Sequence, residues 1–303
     1  MKKLNVHIYV TPVCNIHCKH CYYDARQEID EVQMLTLDQF RSIFTELDQN
    51  YDADFHVEGG ELFLRKNIPE LFEALPESIL KNITITTNGT IDLNAHKSYL
   101  RKVGCLRISV CGHTDEMQME LRGIKLVPVM KNIQTAVREQ VPLTLRMTLH
   151  RQNYAKLLEE SIIYYHKNEN VKRFSLFEFQ SVGRGQQFDE LFTMTEKDCE
   201  NVLQLLERID FGDANLMVSF SERRKGIVKQ YEKRLEQQGY EVRYLPTEQC
   251  LTVNYDGTVG ICAWSVGNDM IGKYTTDMET IIRDINLYHT CEHCSAITIQ
   301  NRK

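Results

Sequence analysis

The sequence predicts an α/β protein with a partial (β/α)6 TIM-like barrel and a small cysteine-rich C-terminal domain. Two observations predict it. Strand-like segments alternate with amphipathic helical segments as far as Phe179, an order that requires right-handed crossovers and a parallel sheet. Beyond about residue 185 the alternation stops, and four cysteines follow near a predicted hairpin. We therefore expect a barrel at 1–185, a helical bridge at 186–240 and a cysteine-rich domain at 241–303.

Each barrel strand is predicted by β-branched or alternating residues that end in turn residues. The six segments are 6–10, 55–61 with its glycine pair, 83–89 with its Asn-Gly turn, 106–111, 143–149 and 174–179. Helical spacing predicts the elements between them. The first predicted helix, 37–47, starts at a capping box formed by Thr36, and the second begins at about residue 68. The others lie near 94–102, 130–139 and 154–166.

The C-terminal third has a different pattern. A helix capped by Thr195 and a charged helical stretch at 222–238 precede a segment from Cys250 to Cys262. That segment alternates about an Asp-Gly turn, which predicts a β-hairpin. A further helix is expected near 278–287, before the pair Cys291 and Cys294.

Composition excludes several classes of protein. The 303 residues carry a net charge of -6, and no basic stripe typical of nucleic-acid binding is present. No apolar run approaches the roughly 18 residues that cross a bilayer. Ten cysteines without a secretory signal indicate a reducing compartment. We expect a cytoplasmic protein that binds neither nucleic acid nor membrane.

Three cysteines, Cys14, Cys18 and Cys21, follow the first strand within eight residues. Thiolates select zinc, copper(I) or iron–sulfur clusters. Three thiolates with no fourth nearby leave one metal position open for a ligand, which favours a reactive centre. Half of a zinc site is the alternative.

Other unusual motifs also follow predicted strands. Gly59-Gly60-Glu61 follows the second strand, Asn88 the third, and the stretch from Ser109 to Gly112 the fourth. In barrels of this kind the active site lies at the C-terminal ends of the strands. Tyr22, Tyr23, His150 and Trp264 are further candidates for lining it.

With this cysteine spacing, and with His20 at the ring position before the last cysteine, the N-terminal two thirds resembles a radical S-adenosylmethionine enzyme. The resemblance implies that Cys14, Cys18 and Cys21 ligate three irons of a [4Fe–4S] cluster. The fourth iron is then chelated by the amino and carboxylate groups of S-adenosylmethionine. Reductive cleavage of that cofactor releases a 5′-deoxyadenosyl radical, which abstracts a hydrogen atom.

The resemblance also assigns roles in cofactor binding. Gly59-Gly60-Glu61 resembles the element that meets the amino group of the cofactor. Asn88, Ser109 and Arg122 resemble residues that contact the ribose or the carboxylate of S-adenosylmethionine, or that lie near those residues. The alternative for each of the three is an ordinary turn or surface residue. The turn Val182-Gly183-Arg184-Gly185 resembles the one that closes strand six in related enzymes.

Cys111 stands where those enzymes usually carry an acid. Alternation places Cys111 on the same face as Ser109. We hypothesise that it donates a hydrogen atom to a substrate radical; an ordinary core cysteine is the alternative.

The C-terminal cysteines resemble the twitch domain, a shortened form of the SPASM domain of peptide-modifying radical enzymes. The resemblance implies that a second, auxiliary [4Fe–4S] cluster is ligated by Cys250, Cys262, Cys291 and Cys294. A four-cysteine zinc ribbon is the alternative.

By resemblance, the substrate is a ribosomally made precursor peptide, oxidised into a thioether or carbon–carbon crosslink. Because the first cluster cysteine is residue 14, we expect leader recognition either from a separate protein or by strand addition to a sheet edge. The alternatives are a peptide epimerase, a small-molecule radical dehydrogenase and a zinc-binding scaffold without enzymatic activity.

Overall fold

The protein is described here from a computed structural model, which describes residues 1–28, 34–244, 250–263, 270–274 and 295–301. Cys291, Cys294, Trp264 and the helix predicted near 278–287 lie outside these residues.

Twelve strands of the described residues form one sheet. They are β1 Lys3–Tyr9, β2 Asp52–Glu58, β3 Ile83–Thr87, β4 Cys105–Ser109, β5 Leu143–Leu149, β6 Arg173–Glu178, β7 Asn215–Ser221, β8 Tyr240–Tyr244, β9 Cys250–Val253, β10 Thr258–Gly260, β11 Gly272–Lys273 and β12 Ser295–Asn301. Their order across the sheet is β11-β10-β9-β1-β2-β3-β4-β5-β6-β7-β12-β8.

The run from β9 through β1 to β7 is parallel throughout. The six predicted strands are β1 to β6, in chain order and in the predicted parallel arrangement, so the predicted α/β partial barrel is confirmed. The parallel run also includes β7 and β9.

Helices connect the strands. They are α1 Leu37–Asn50, α2 Ile68–Glu73, α3 Glu77–Leu80, α4 Lys97–Leu100, α5 Asp115–Arg122, α6 Val127–Arg138, α7 Tyr154–Lys156, α8 Ile162–Glu169, α9 Asp189–Phe192, α10 Glu196–Arg208 and α11 Lys225–Gln237. A π-helical turn, Leu157–Ser161, joins α7 to α8. Thr36 and Thr195 form the capping boxes that start α1 and α10, because each side chain accepts a bond from an otherwise unpaired helical N–H.

Apolar side chains on one face of the strands form the core with the helices. Alternation is clear in β3, where Ile83 and Ile85 are fully buried between half-buried threonines. The opposite face of the barrel strands carries polar residues, so the apolar core lies between sheet and helices.

Non-local pairing places the C-terminal strands. β9 and β10 form the predicted hairpin, with Val253 opposite Val259, and β9 also pairs with β1. β12 inserts between β7 and β8 and is antiparallel to both. None of the helices in the described part of the chain is long and apolar enough to cross a bilayer.

Candidate active site

A cavity at the carboxyl ends of the barrel strands brings together most of the predicted site residues. It holds about 1040 Å³ of empty space, its open mouth included. The predicted residues in its wall are Cys14, Cys18, His20, Cys21, Tyr22, Gly59, Gly60, Asn88, Ser109, Cys111 and Arg122.

The glycine pair after β2 packs against the cysteine loop. A Cβ on Gly60 would stand 2.0 Å from the Val13 carbonyl oxygen, and one on Gly59, where φ is +138°, would stand 2.5 Å from the Thr11 carbonyl oxygen. Two backbone bonds join the segments: Gly60 N–H donates to Thr11 at 2.8 Å, and Glu61 N–H donates to Val13 at 2.7 Å. The glycines therefore let two backbones meet, which fixes the cysteine loop to the end of β2.

The turn after β6 holds the other side of the same loop. Gly183 has a φ of +59°, and a Cβ there would stand 2.2 Å from the Tyr22 carbonyl oxygen. Buried Arg184 donates from Nη1 to the Cys18 carbonyl oxygen at 3.1 Å and from Nη2 to that of Ala25 at 2.7 Å. The sequence indicated this turn, but not that its arginine contacts the cysteine loop.

Glu61 lies behind the cavity wall. Its Oε1 accepts bonds from Thr87 Oγ1 at 2.8 Å and Phe63 N at 3.2 Å, while Oε2 accepts from Asn88 N at 2.7 Å. Burial raises the pKa of this carboxyl group. In this structure Glu61 therefore ties the end of β2 to the end of β3.

Arg122, at the end of α5, is a buried cation. Its Nη1 donates to the Ser109 carbonyl oxygen at 2.6 Å and to Gln118 Oε1 at 3.2 Å, and its Nη2 donates to the Asn88 carbonyl oxygen at 2.5 Å. Within the described residues no carboxylate forms an ion pair with it. Burial raises the pKa of the Cys18 thiol to about 11, and the nearby Arg122 charge opposes that rise.

Two other predicted residues face the cysteines. Asn88 Nδ2 lies 3.6 Å from Cys14 Sγ and donates to Asn15 Oδ1 at 2.9 Å. Burial and the charge of Arg122 lower the pKa of His20 to about 4, so its imidazole is neutral near pH 7.

This donor set fits an anionic iron–sulfur cluster. Three thiols share one cavity wall with the buried guanidinium of Arg122, whose charge favours thiolates. The described residues contain no group of three His, Cys, Asp or Glu side chains that converges on one ion. A cluster needs no such group, because each thiolate binds a different iron.

Cys111 also lies in the cavity wall. It is 4% exposed and packs with Leu121, Phe179 and Phe192. Burial raises the pKa of its thiol to about 12, so the sulfur keeps its proton near pH 7.

Three charged wall residues were not predicted: Glu178 at the end of β6, and the pair formed by Glu58 and Arg146. Tyr22 Oη donates to Glu58 Oε2 at 2.9 Å, and Arg146 Nη1 lies 3.5 Å from the same oxygen. Burial alone would raise the pKa of Glu58, but Arg146 and His7 hold it well below its usual range. Period-two alternation along β2 and β5 was the signal that could have found this pair.

The remaining candidates lie away from the cavity or outside the described residues. Tyr23 stacks on Tyr9 at 4.7 Å between ring centroids. His150 is 1% exposed and packs on Phe192.

The C-terminal hairpin touches the barrel. Cys250 begins β9, and the Cys262 carbonyl oxygen after β10 accepts a bond from Thr252 Oγ1 at 2.6 Å. Tyr9 Oη on β1 donates to the Ala263 carbonyl oxygen at 2.6 Å. One half of the predicted auxiliary set therefore adjoins the strand that precedes the cysteine loop.

Two curated proteins illustrate the sequence similarity. The chain is 27% identical over 211 residues to a probable GTP 3′,8-cyclase of Sulfurisphaera tokodaii, covering 68% of this chain and 64% of that protein. It is 25% identical over 202 residues to the Fe-coproporphyrin III synthase of Methanosarcina barkeri, covering 66% and 50%. The chain thus spans less than two thirds of either relative.

Similar solved structures cover more of the chain. Streptococcus suis SuiB bound to its precursor peptide SuiA has a TM-score of 0.73 at 15% identity, covering 94% of this chain and 64% of that one. The enzyme anSMEcpe with bound AdoMet has a TM-score of 0.65 at 19% identity, covering 94% and 82%. At these identities the similarity concerns the fold.

The family model for the radical SAM superfamily matches residues 8–160, just over half of the chain. That range begins in β1, contains the cysteine loop and extends past β5. Members of this superfamily use a [4Fe–4S] cluster and S-adenosylmethionine. The chain belongs to the radical SAM superfamily.

Proposed function

We propose that this enzyme oxidatively modifies a ribosomally synthesised peptide, forming a crosslink such as a thioether or a carbon–carbon bond. The observation that carries the proposal is the extent of the fold similarity. The likeness to SuiB with its precursor peptide spans 94% of the chain, whereas the sequence matches to small-molecule enzymes span 68% and 66%. The likeness therefore includes strands beyond the family domain.

In this proposal, Cys14, Cys18 and Cys21 ligate the cluster. When bound, the cluster and S-adenosylmethionine supply a carbon-centred radical that abstracts hydrogen. Ser109 lines the space beside the thiols, and Arg122 holds the ends of β3 and β4 around it through the two carbonyl oxygens that it binds. These residues orient the cofactor and exclude water.

The proposal includes a second cluster on Cys250, Cys262, Cys291 and Cys294. Four thiolates would saturate that cluster, so it would carry electrons rather than bind substrate. The bond from Tyr9 to Ala263 supports this role, because it joins the hairpin to the strand that precedes the first cluster. An electron acceptor of this kind suits a net two-electron oxidation of the peptide.

A second candidate function is chemistry on a small molecule. Its support is the sequence similarity to proteins named for small-molecule products, a GTP 3′,8-cyclase and an Fe-coproporphyrin III synthase. A radical dehydrogenase would use the same cavity.

One assay separates the candidates. The anaerobically reconstituted enzyme is incubated with reductant, S-adenosylmethionine and the short peptide encoded beside its gene. Mass spectrometry then measures the mass of the peptide. A mass loss of two hydrogens supports the proposal, and deuterium uptake from heavy water without other change indicates an epimerase. An unmodified peptide together with a modified nucleotide, when GTP is supplied instead, favours the second candidate.

Leader recognition by a separate protein is part of the proposal. Adding that protein should raise turnover of the full precursor and leave turnover of a leaderless core peptide unchanged. Equal effects on both substrates would contradict this part.

Iron analysis tests the second cluster. Two [4Fe–4S] clusters correspond to about eight irons per chain, and we expect Cys250→Ser to lower the count while Cys105→Ser does not. Cys105 is a suitable control, because it is half-buried on β4 and bonds to Thr144. An equal count in both variants, or zinc in place of iron, would contradict the second cluster.

A further inference from the structure

The lumen of this barrel is polar. In a filled barrel, branched apolar side chains occupy the interior. Here the strand faces opposite the apolar core carry charged, hydroxyl and imidazole groups, many of them half-buried. The residues that matter are His56, Glu58, Thr86, Arg107, Arg146 and Ser175.

Arg146 on β5 presents its guanidinium to the cavity. Its side chain is 19% exposed, and the guanidinium carbon Cζ lies 4.2 Å from the centroid of the Phe177 ring. The stacked ring fixes the plane of the guanidinium. Glu58 is its ion-pair partner within the described residues, at 3.5 Å, and no described residue accepts a hydrogen bond from it. The N–H groups that do not face Glu58 are therefore available to a ligand.

Glu58 cannot neutralise the lumen by itself. Besides the contact with Arg146, its carboxylate bonds to Tyr22 Oη at 2.9 Å and to His7 Nδ1 at 3.0 Å. Its negative charge is thus shared among three donors from three different elements. Glu178, the other carboxylate in the cavity wall, is already paired with Arg224 at 2.6 Å. Glu58 therefore faces two guanidinium groups in the lumen.

The second guanidinium belongs to Arg107 on β4. Its Nη1 lies 3.2 Å from His56 Nδ1, and no carboxylate of the described residues forms an ion pair with it. Burial, followed by the charge of His7, lowers the pKa of His56, so this partner is neutral. Arg107 and Arg146 lie on adjacent strands, where Arg107 pairs with Thr144 and Arg146 with Ser109. Burial and the charge of Arg146 lower the pKa of Arg107. The lumen therefore carries excess positive charge.

Two hydroxyl groups accompany these cations. Thr86 is the register partner of Arg107, and Ser175 is the register partner of Arg146. Neither buried hydroxyl oxygen has a hydrogen-bond partner in the described part of the chain. Unsatisfied buried donors of this kind are costly unless a ligand or water meets them. Thr86, like Arg146, lies in the wall of the cavity that contains the cysteines.

We propose that Arg146, supported by Arg107 and the hydroxyl groups of Thr86 and Ser175, binds an anionic oxygen group of the substrate, a carboxylate or a phosphate. Guanidinium forks match both groups through paired, charge-assisted bonds. The proposal rests on the proposed function, since it places the substrate in the same cavity as the cysteines. Under this proposal, the substrate carries an acidic group, and that group enters the lumen of the barrel.

The test measures anion binding directly, without turnover. The reconstituted protein is titrated by calorimetry with inorganic phosphate and, separately, with succinate, at fixed ionic strength. We expect saturable binding of at least one dianion, at least tenfold weaker in Arg146→Gln and partly restored in Arg146→Lys. Arg138→Gln, which removes an exposed arginine of α6, should bind as the unaltered protein does. Circular dichroism spectra and unfolding midpoints establish that each variant is folded.

Each outcome decides the proposal. Stronger binding of phosphate identifies a phosphorylated substrate, and stronger binding of succinate identifies a carboxylate such as an acidic peptide side chain. Absence of binding, or equal binding by folded Arg146→Gln, overturns the proposal. Cleavage of S-adenosylmethionine is assayed in parallel on the unaltered enzyme. If the enzyme cleaves S-adenosylmethionine but binds no anion, only this inference is wrong. If it binds the anion but does not cleave S-adenosylmethionine, the result counts against the proposed function.

Discussion

Buried ionisable side chains surround the cysteine loop, and their environments set their charges. Arg122 remains a cation, with carbonyl and amide oxygens as its acceptors among the described residues. His20 is neutral because burial and Arg122 lower its pKa to about 4. Cys111 keeps its proton because burial raises its pKa to about 12. At the residue scale, burial together with the neighbouring donors, acceptors and charges therefore decides which groups can act as ions.

Replacing Cys111 distinguishes two reactions. A net oxidation returns no hydrogen atom to the substrate, so under the proposed function we expect Cys111→Ala to retain product formation. Mass spectrometry in heavy water is the measurement, with Cys199→Ala, from the core of α10, as control. Deuterium uptake that is lost only in Cys111→Ala would favour the epimerase instead and identify this thiol as the hydrogen donor.

His150 should make stability depend on pH. Its Nδ1 accepts a bond from Gln152 N at 3.2 Å, and burial, with the nearby His20, lowers its pKa to about 3. In the unfolded chain the pKa is about 6.5. Between these values the unfolded state binds more protons, so the free energy of unfolding falls as pH drops below about 6.5.

Through His150 alone, the free energy of unfolding falls by about 1.4 kcal/mol for each pH unit in this range. We expect His150→Asn to show a correspondingly smaller loss of stability between about pH 6 and pH 5, measured by urea unfolding. His17→Asn, at an exposed position in the cysteine loop, serves as control. Equal slopes for His150→Asn and the unaltered protein would show that His150 is not buried in its neutral form.

At the scale of elements, the cysteine loop is held between the turn after β2 and the turn after β6. Because a Cβ on Gly60 would stand 2.0 Å from a backbone oxygen, Gly60→Ala must displace the loop. We expect a loss of about 1–3 kcal/mol in the free energy of unfolding and a lower iron content after reconstitution.

Gly226→Ala is the matched control for this change. Gly226 lies at the start of α11, and a Cβ on it would have no atom within 4 Å, so the substitution should be neutral or stabilise by about 0.4–1 kcal/mol. Full iron loading in Gly60→Ala would show that this contact does not position the cysteines.

At the scale of the whole molecule, the last described strand completes the sheet. β12 pairs with β7 and β8, and Asn301 Oδ1 accepts a bond from Leu216 N at 2.8 Å. Ile297 and Ile299 are fully buried, and burial of such a side chain contributes about 1.5–3 kcal/mol.

A chain that ends at residue 294 should therefore unfold at a lower temperature and aggregate, because β7 and β8 lose their shared partner. Differential scanning calorimetry and light scattering measure both effects, with a chain that ends at residue 301 as control. Equal melting of the two chains would mean that β12 contributes little to stability.

Prediction from sequence succeeded for local patterns and failed for pairing at long range. Alternating polar and apolar residues predicted β1 to β6, and capping residues predicted the starts of α1 and α10. These signals depend only on residues that are close in sequence. β7 went unpredicted although Leu216, Val218 and Phe220 alternate along it. β12 also went unpredicted, although Ile297 and Ile299 alternate along it. Its place between β7 and β8 depends on register partners that lie far away in sequence.

The sequence by itself determined the chemistry of this protein: three closely spaced cysteines after a first strand, with polar motifs after the next three. The tertiary structure decided which groups meet. Only folding shows that Glu61 bonds to Thr87 and Asn88, and that Arg184 holds the cysteine loop. Only folding brings Arg146 to the cavity. The physical reason is that a motif fixes the type of donor, whereas burial and partners distant in sequence fix its charge, orientation and contacts.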